Sequence, residues 1–484
     1  MILGIDQGTT GSRAFIFDEQ GKVITSAYSE FEQFFPKPGW VEHDAAEIWA
    51  VTKEVCHQAL DDAGIDGAKL KAIGITNQRE TAVAWDRKTG EPLHKAIVWQ
   101  DRRTAGRCDR LKAEGYESMF RERTGLVLDA YFSGTKYEWM LKEGGVPADA
   151  AFGTIDSWLL FKLTGRHATD YSNASRTLLF NIRELAWDAE LCDTLGVPIA
   201  SLPEPVRNAE VLGETSEFGG SVPVASMVGD QQGALYGQAC LEPGLSKNTY
   251  GTGNFLLANA GDGPPVLEQG LITTIAWGIG DRVDYALESS MFVTGAGVQW
   301  LRDGLKIIDA ASDTEAMAGS LDSNEGVYFV PALTGLGSPH WDPYARGTIV
   351  GLTRGSTREH IARAALEAIA YQSVDAVRAQ NTALGVRLKE LRVDGGATAN
   401  AWLMQFQADM LGVPVVVPEI ADTTVLGATY LAGVATGVWS EEDVTSLWTE
   451  SKRYEPTMGD DQRQSLLSDW RRALQRSGRW IVPD

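Results

Sequence analysis

The chain has 484 residues, with 43 Lys plus Arg against 65 Asp plus Glu, a formal net charge of −22. A field this negative repels polyphosphates and no basic run offsets it, which argues against a nucleic-acid partner or an anionic-membrane surface. At 44% hydrophobic and 22% charged residues the chain can bury a large core, and at roughly 150 residues per domain its length predicts two or three domains and excludes one small module.

The first thirty residues read as β-hairpins. Ile2, Leu3 and Ile5 precede Asp6-Gln7-Gly8-Thr9-Thr10-Gly11, Arg13 to Phe17 alternate into a second strand, and a turn at Asp18-Glu19-Gln20-Gly21 leads to a third over Lys22 to Ala27. A strand that starts at Ile2 leaves no room for a signal peptide, and no apolar run approaches the ~18 residues of a membrane span; a soluble cytoplasmic protein is the expectation. A helix comes next, with Asp44 and Glu47 as a capping pair, Ile48, Val51, Val55 and Leu60 at helical spacing, and Gly64 as the stop. Leu70 to Ile75 reads as a strand that ends in Asn77-Gln78-Arg79-Glu80. Cys56, Cys108, Cys192 and Cys240 form neither a CxxC pair nor a disulfide framework, so reduced thiols are expected.

The second part of the chain repeats the opening device: Leu245 to Tyr250, then Gly251-Thr252-Gly253, then Phe255 to Ala258. Ser356 with Glu359 reads as the cap of a long Ala-rich helix that breaks at Gly385. A strand over Leu391 to Val393 runs into Asp394-Gly395-Gly396-Ala397, and a helix begins near Asn400. Strands alternating with helices predict an α/β fold of two packed halves, joined near residues 240 to 250, with a cleft between them.

Several chemistries lose support. There is no Walker phosphate loop, no complete GxGxxG, no HExxH and no Gly-x-Ser-x-Gly elbow. What remains is a set of Gly/Thr turns after strands, with carboxylates beside them. In Asp6-Gln7-Gly8-Thr9-Thr10 the glycine lets backbone approach a phosphate, hydroxyls and amides donate to it, and Asp6 could reach a Mg²⁺ through water; an ordinary hairpin turn fits the same residues. On residue chemistry alone Asp230 reads as a helix N-cap.

Longer segments resemble the FGGY family of carbohydrate kinases, and within it the glycerol kinases. They are Asp6 to Thr10, Phe35-Pro36-Lys37-Pro38-Gly39-Trp40-Val41-Glu42-His43, Asn77 to Thr81, Trp99-Gln100-Asp101-Arg102-Arg103-Thr104 and Tyr131-Phe132-Ser133-Gly134-Thr135-Lys136. Gly229-Asp230-Gln231-Gln232, Asn248 to Gly253, Gly335-Leu336-Gly337-Ser338-Pro339 and Asp394 to Asn400 extend the resemblance over nearly the whole chain.

That resemblance implies two actin-like, ribonuclease-H-like α/β domains, 1–245 and 246–484, flanking an interdomain catalytic cleft. It implies phosphorylation of glycerol to sn-glycerol 3-phosphate with ATP as donor and Mg²⁺ as metal, and a homodimer or homotetramer. Asp230 becomes the catalytic base. Arg79, Glu80, Tyr131, Asp230 and Gln231 match the polyol positions, with Trp99 and Phe255 behind the carbons. Thr9, Thr10, Gly11 and Arg13 match the phosphate side of the first domain and Thr252 that of the second. Gly295, Gln299, Gly396 and Asn400 line the nucleotide, and Asp6 with Asp230 holds the metal. A triol suits such a set, because a guanidinium only donates and a carboxylate only accepts, fixing hydroxyls in opposite senses.

The chain departs from the family at three places. Gly11 replaces a usual serine, which weakens one phosphate contact although Ser12 is adjacent, and Ala401 follows Asn400 where a second asparagine is common. Gly219-Gly220-Ser221 lacks the arginine of members inhibited by fructose 1,6-bisphosphate, so weak or absent inhibition is expected.

Overall fold

Alternating apolar residues around two tight turns make the first thirty residues a β-meander. The computed structural model, which describes residues 1–263, 265–268 and 270–482, folds them as the antiparallel strands β1 (Ile2–Gln7), β2 (Gly11–Phe17) and β3 (Val23–Glu30). Three more strands extend the sheet: β4 (Ala72–Asn77), β5 (Ala209–Thr215) and β6 (Val222–Gly229). β4 lies parallel to β1, β6 parallel to β4, and β5 antiparallel to β6.

The second part of the chain has the same plan. β7 (Ser246–Tyr250) and β8 (Asn254–Gly261) form a hairpin, and β9 (Ile272–Ile279) pairs with β10 (Arg282–Met291), which lies antiparallel to β8. β11 (Leu391–Asp394) and β12 (Val415–Pro418) add in parallel beyond β7, and β13 (Glu450–Tyr454) closes that edge. A hairpin, a further antiparallel strand and two parallel strands thus occur twice, which bears out the repeat read from the Gly/Thr turns. Among the described residues these thirteen strands form one sheet, joined where Ala209 of β5 meets Ile279 of β9.

Helices bury their apolar stripes on this sheet. α1 (Ala45–Ala63) starts where the Asp44 carboxylate accepts from the amides of Ala46 and Glu47, and it ends at Gly64 with φ of 65°. Glu47 does not complete the expected box: its carboxylate accepts from the amide of Glu32 instead. Ile48, Val51, Val55 and Leu60 lie against Leu3, Ile5 and Ile16, each worth roughly 1.5–3 kcal/mol of apolar burial.

Four further helices frame the site: α2 (Asp230–Gly237), α3 (Gly295–Asp303), α4 (Arg358–Leu384) and α5 (Ala401–Leu411). The expected cap of α4 is off by one residue. Thr357 is the N-cap, and its amide donates to Nδ1 of His360 at 3.1 Å, while Ser356 is used in the preceding turn by the amide of Thr353. α6 (Thr423–Ala435) crosses into the first half, where Val425, Leu426 and Tyr430 share a core with Ile2, Phe17, Ala72, Val228 and Leu235. No described helix is long and apolar enough to cross a membrane.

Candidate active site

β1, β4 and β6 run parallel and end in register, Gln7 opposite Asn77 and Asn77 opposite Gly229. The polar residues that follow them, Gly8 to Thr10, Gln78 to Glu80 and Asp230 to Gln232, therefore emerge at one edge of the sheet, where open α/β sheets bind ligands.

At that edge Arg79 is buried at the centre of a charged cluster. Its Nε lies 3.0 Å from Oδ1 of Asp230, and its Nη1 donates to Oε2 of Glu288 at 2.6 Å and to Oε1 of Gln232 at 3.2 Å. Its Nη2 reaches the Tyr131 hydroxyl at 3.4 Å. Sequence neighbours on a strand point to opposite faces. Glu80 nevertheless joins Arg79 because the chain leaves β4 there: Glu80 has φ of 61°, and its Oε1 accepts from Nε of Arg176 at 2.6 Å. Burial raises the Glu80 carboxyl, while Arg176 and Arg79 act to lower it. Burial also raises the Tyr131 phenol, so it stays protonated and can donate.

Aromatic rings bound the cluster. Trp99 meets Tyr131 edge to face at 5.7 Å, and Phe255 on β8 stands 6.0 Å from the Arg79 guanidinium carbon. Gln231 is buried, and its Oε1 accepts from Nζ of Lys247. Asp230 differs from its neighbours in keeping 31% of its side chain exposed. It is the first residue of α2 and accepts from the Gln231 amide at 2.6 Å, but the N-cap is Gly229, so the capping reading is corrected.

The β1–β2 turn lies alongside. Thr10 is exposed and Thr9 half-buried, with Oγ1 of Thr9 accepting from the Trp99 indole at 3.0 Å. Arg13, on β2, pairs with Asp422 at 3.0 Å and stacks on Tyr28. Gly11 begins β2, and a Cβ there would stand 2.6 Å from the Ser29 carbonyl oxygen. The expected compensation by Ser12 fails, because its buried hydroxyl turns away to Thr52 of α1 at 3.1 Å.

Asp6 is half-buried and accepts from the Thr424 hydroxyl at 3.2 Å. Burial raises its carboxyl to about 6; Arg13 opposes this and the charge of Asp230 adds to it. Among the described residues no three His, Cys, Asp or Glu side chains form a metal cage. A pair of carboxylates beside phosphate-type turns instead fits Mg²⁺, which keeps waters and takes one or two carboxylates together with substrate phosphates.

In the second half, Thr252 is exposed at the β7–β8 turn, and its carbonyl accepts from the amide of Ala296 in α3 at 3.0 Å. Gly295 donates to the Gly251 carbonyl at 3.1 Å, and Gln299 is exposed one turn along α3. On the other side Gly395 has φ of 90°, and a Cβ there would fall 2.3 Å from the Tyr250 carbonyl oxygen, so only glycine lets the β11 turn press against β7. Gly396 beside it is exposed. Asn400 caps α5 by accepting from the Leu403 amide at 2.9 Å, and its Nδ2 reaches Thr314 at 3.3 Å. Ser221 sits in the exposed β5–β6 turn, its hydroxyl on the Glu214 carboxylate.

Sequence reasoning missed Arg176, Glu288 and Gln232. Glu288 had only a weak signal, an acid in the middle of the strand Arg282 to Met291, which carries a second acid at Asp284. Arg176 had none, since its partners lie 96 and 112 residues away.

The N-terminal domain of the FGGY family of carbohydrate kinases matches residues 1–237 and the C-terminal domain matches residues 246–436. The chain is 54% identical over 490 residues to glycerol kinase 2 of Thermotoga maritima, covering 99% of each chain. It is 55% identical over 493 residues to the glycerol kinase of Trichlorobacter lovleyi, covering 100% of this chain and 99% of that one. The crystal structure of Plasmodium falciparum glycerol kinase with ADP matches the fold with a TM-score of 0.93 at 36% identity, covering 100% of this chain and 98% of that chain. The expected pair of actin-like halves is thereby borne out. With both domains matched in order along one chain, the protein belongs to the FGGY family of carbohydrate kinases.

Proposed function

We propose that the protein phosphorylates glycerol, transferring the terminal phosphoryl group of ATP to give sn-glycerol 3-phosphate and ADP in glycerol catabolism. The observation that carries this reading is the convergence of Arg79, Glu80, Tyr131 and Asp230 on one hydrogen-bonded cluster, in a chain similar along its length to proteins named glycerol kinase.

Arg79 donates to one hydroxyl of the triol, Glu80 accepts from another, and the Tyr131 phenol and Gln231 amide complete the set. Trp99 and Phe255 cover the carbons. Leaving one of these buried groups unpaired costs roughly 1–3 kcal/mol, which disfavours analogues that lack a hydroxyl. Asp230 takes the proton of the attacking hydroxyl as its oxygen bonds to the γ-phosphorus, and the bond to the β,γ-bridging oxygen breaks with its electrons leaving on ADP. Phosphoryl transfer proceeds through a loose transition state, so positioning matters more than base strength. Thr9, Thr10, Gly11 and Arg13 hold the phosphates from one side and Thr252 from the other, with Gly295, Gln299, Gly396 and Asn400 along the nucleotide. Asp6 and Asp230 are the residues to hold Mg²⁺, which when bound offsets phosphate charge.

On this reading residues 1–245 carry the polyol site and the first phosphate turn, and residues 246–484 the nucleotide site. The protein works in the cytoplasm, where Mg-ATP is supplied, as a homodimer or homotetramer, which sedimentation analysis checks. The activity is tested by ADP release over glycerol, dihydroxyacetone, erythritol, xylulose and gluconate. Glycerol is expected to give the highest kcat/KM; a sugar turned over well above glycerol overturns the reading.

A further inference from the structure

Glu288 belongs to the second part of the chain but ends in the cluster built by the first. It is fully buried in the middle of β10, on the same strand face as Ser290, and β8 beside it supplies Phe255 opposite Ser290. Its carboxylate accepts from Nη1 of Arg79 at 2.6 Å, Nη2 of Arg79 at 3.3 Å, Nη2 of Arg176 at 3.0 Å and the Ser290 hydroxyl at 3.0 Å. Burial by itself pushes this carboxyl up, yet Arg176 and Arg79 hold it down to about 2, so it is an anion at neutral pH.

Two buried guanidiniums side by side repel one another, and Glu288 is the carboxylate they share. Without its charge, Arg79 keeps two acidic neighbours, Glu80 at 3.9 Å and Asp230 at 3.0 Å. Arg176 already occupies Glu80 at 2.6 Å. Arg79 would then close on Asp230, leaving Tyr131 without its guanidinium partner and adding a second contact to the proposed base.

We propose that Glu288 is a positioning residue for glycerol: it anchors the Nη ends of Arg79 and Arg176, holds Arg79 against Tyr131, and leaves Asp230 only the Nε contact. The second half of the chain thereby supplies a charged anchor, beside the apolar wall of Phe255, to a polyol site whose polar contacts come from the first. The identity of the ligand rests on the glycerol-kinase reading above; the anchoring of Arg79 does not.

The test uses the full-length protein and the variants Glu288→Gln and Ser290→Ala. Glu288→Gln keeps the shape and removes the charge, and it is expected to raise the KM for glycerol about tenfold or more while the KM for ATP stays within about twofold. Ser290→Ala removes one donor to Glu288 and is expected to shift the same constant in the same direction by a smaller factor. It carries the test if Glu288→Gln does not fold. A loss of general integrity would move both KM values and the melting temperature together; that pattern, or an unmoved glycerol KM, overturns the proposal. A crystal structure of either variant reads the anchoring without any turnover: Arg79 displaced toward Asp230 supports it, and Arg79 unmoved overturns it. A wild-type protein that does not phosphorylate glycerol sinks the activity reading alone, and Arg79's position in the variant still decides the role of Glu288.

Discussion

Lys136 places its ammonium 2.5 Å from the carbonyl oxygen of Tyr131, and the same nitrogen lies 3.4 Å from the carbonyls of Glu80 and Phe132. One buried cation thus ties together the two segments that carry Glu80 and Tyr131, which are far apart in sequence. The tie matters because Glu80 is held at φ of 61°, a backbone state that costs a non-glycine residue of order 1–3 kcal/mol unless its surroundings enforce it. The Ser133 hydroxyl adds a second bond to the Glu80 carbonyl at 3.0 Å. Burial lowers Lys136 to about 8 against the pull of Glu80, Asp101 and Asp129, so it is mostly charged at neutral pH. Lys136→Met should raise the KM for glycerol by about tenfold and destabilise the fold by roughly 1.5–3 kcal/mol, the worth of hydrogen bonds to a charged group. Steady-state kinetics in both substrates check this; equal rises in the glycerol and ATP constants would mean that Lys136 serves packing only.

Asp230→Asn leaves a side chain of the same shape that can still accept from the Gln231 amide but cannot take a proton. The expected result is a fall in kcat of about 10²–10⁴-fold, the range for losing a general base. Calorimetric titration with ATP in the absence of Mg²⁺ should give binding close to wild type, since Asp230 meets the nucleotide only through the metal. Retention of most of the turnover would assign the proton acceptor elsewhere.

The turns at Asp6 to Gly11 and Gly251 to Gly253 are legible in the sequence because hairpin chemistry is local: a strand, a glycine, hydroxyls, and a strand again. The same holds for Gly395, where one backbone conformation demands one residue type, and for Asn400, whose cap is decided within three residues. The cap of α4 is less legible, since Ser356 is by type the better cap and Thr357 takes the place through its bonds with His360 three residues on. Charge pairing across the sheet leaves no local trace. Arg79 and Glu288 are 209 residues apart, and nothing near either one marks the other as its partner. Ser12 illustrates the converse error: adjacency in sequence suggested a role beside the phosphate turn, whereas strand alternation sends its hydroxyl into the core beneath α1.

Trp99 links the two parts of the site, its ring against Tyr131 and its indole N–H on Thr9. Trp99→Phe keeps an aromatic wall and deletes the hydrogen bond to the phosphate turn. A neutral bond of this kind is worth about 0.5–1.5 kcal/mol, so the KM for ATP should rise roughly two- to tenfold. The glycerol constant should move less, because the ring remains. A change confined to glycerol would show that the indole bond does not help to place the turn.

Gly11 is a packing requirement as well as a departure from the family. A side chain at that position meets the Ser29 carbonyl, which is fixed by the β2–β3 pairing, and the far edge of the Tyr28 ring, which is exposed. Gly11→Ser is expected to destabilise the protein by about 1–3 kcal/mol, the usual range for overpacking. Adding Tyr28→Ala should recover only part of this, since the clash with backbone remains. Urea unfolding of the single and double variants measures both terms, and full recovery in the double variant would place the whole conflict in the ring.

His43 connects the phosphate turn to the sheet, and it titrates in a useful range. The ring is buried; its Nε2–H donates to Oε1 of Gln33 at 2.9 Å, and Gln33 in turn donates to the Thr9 carbonyl at 3.0 Å. Burial lowers its pKa from 6.5 to about 4, so between those values the unfolded chain binds a proton that the folded chain refuses. Stability from this residue is therefore present above pH 6.5 and lost as pH falls toward 4, at up to about 1.4 kcal/mol per pH unit. Asp6, raised by burial to about 6, works in the opposite direction, losing stability as pH rises through its own window. The wild-type profile sums such groups, so the contribution of His43 is read as the difference between wild type and His43→Asn in urea midpoints at pH 7.5, 6 and 5. That difference should shrink as pH falls, since the variant has no imidazole to protonate. A constant offset across the range would mean that the buried ring takes up its proton as readily as an exposed one, which its place between Gln33 and Gln78 argues against.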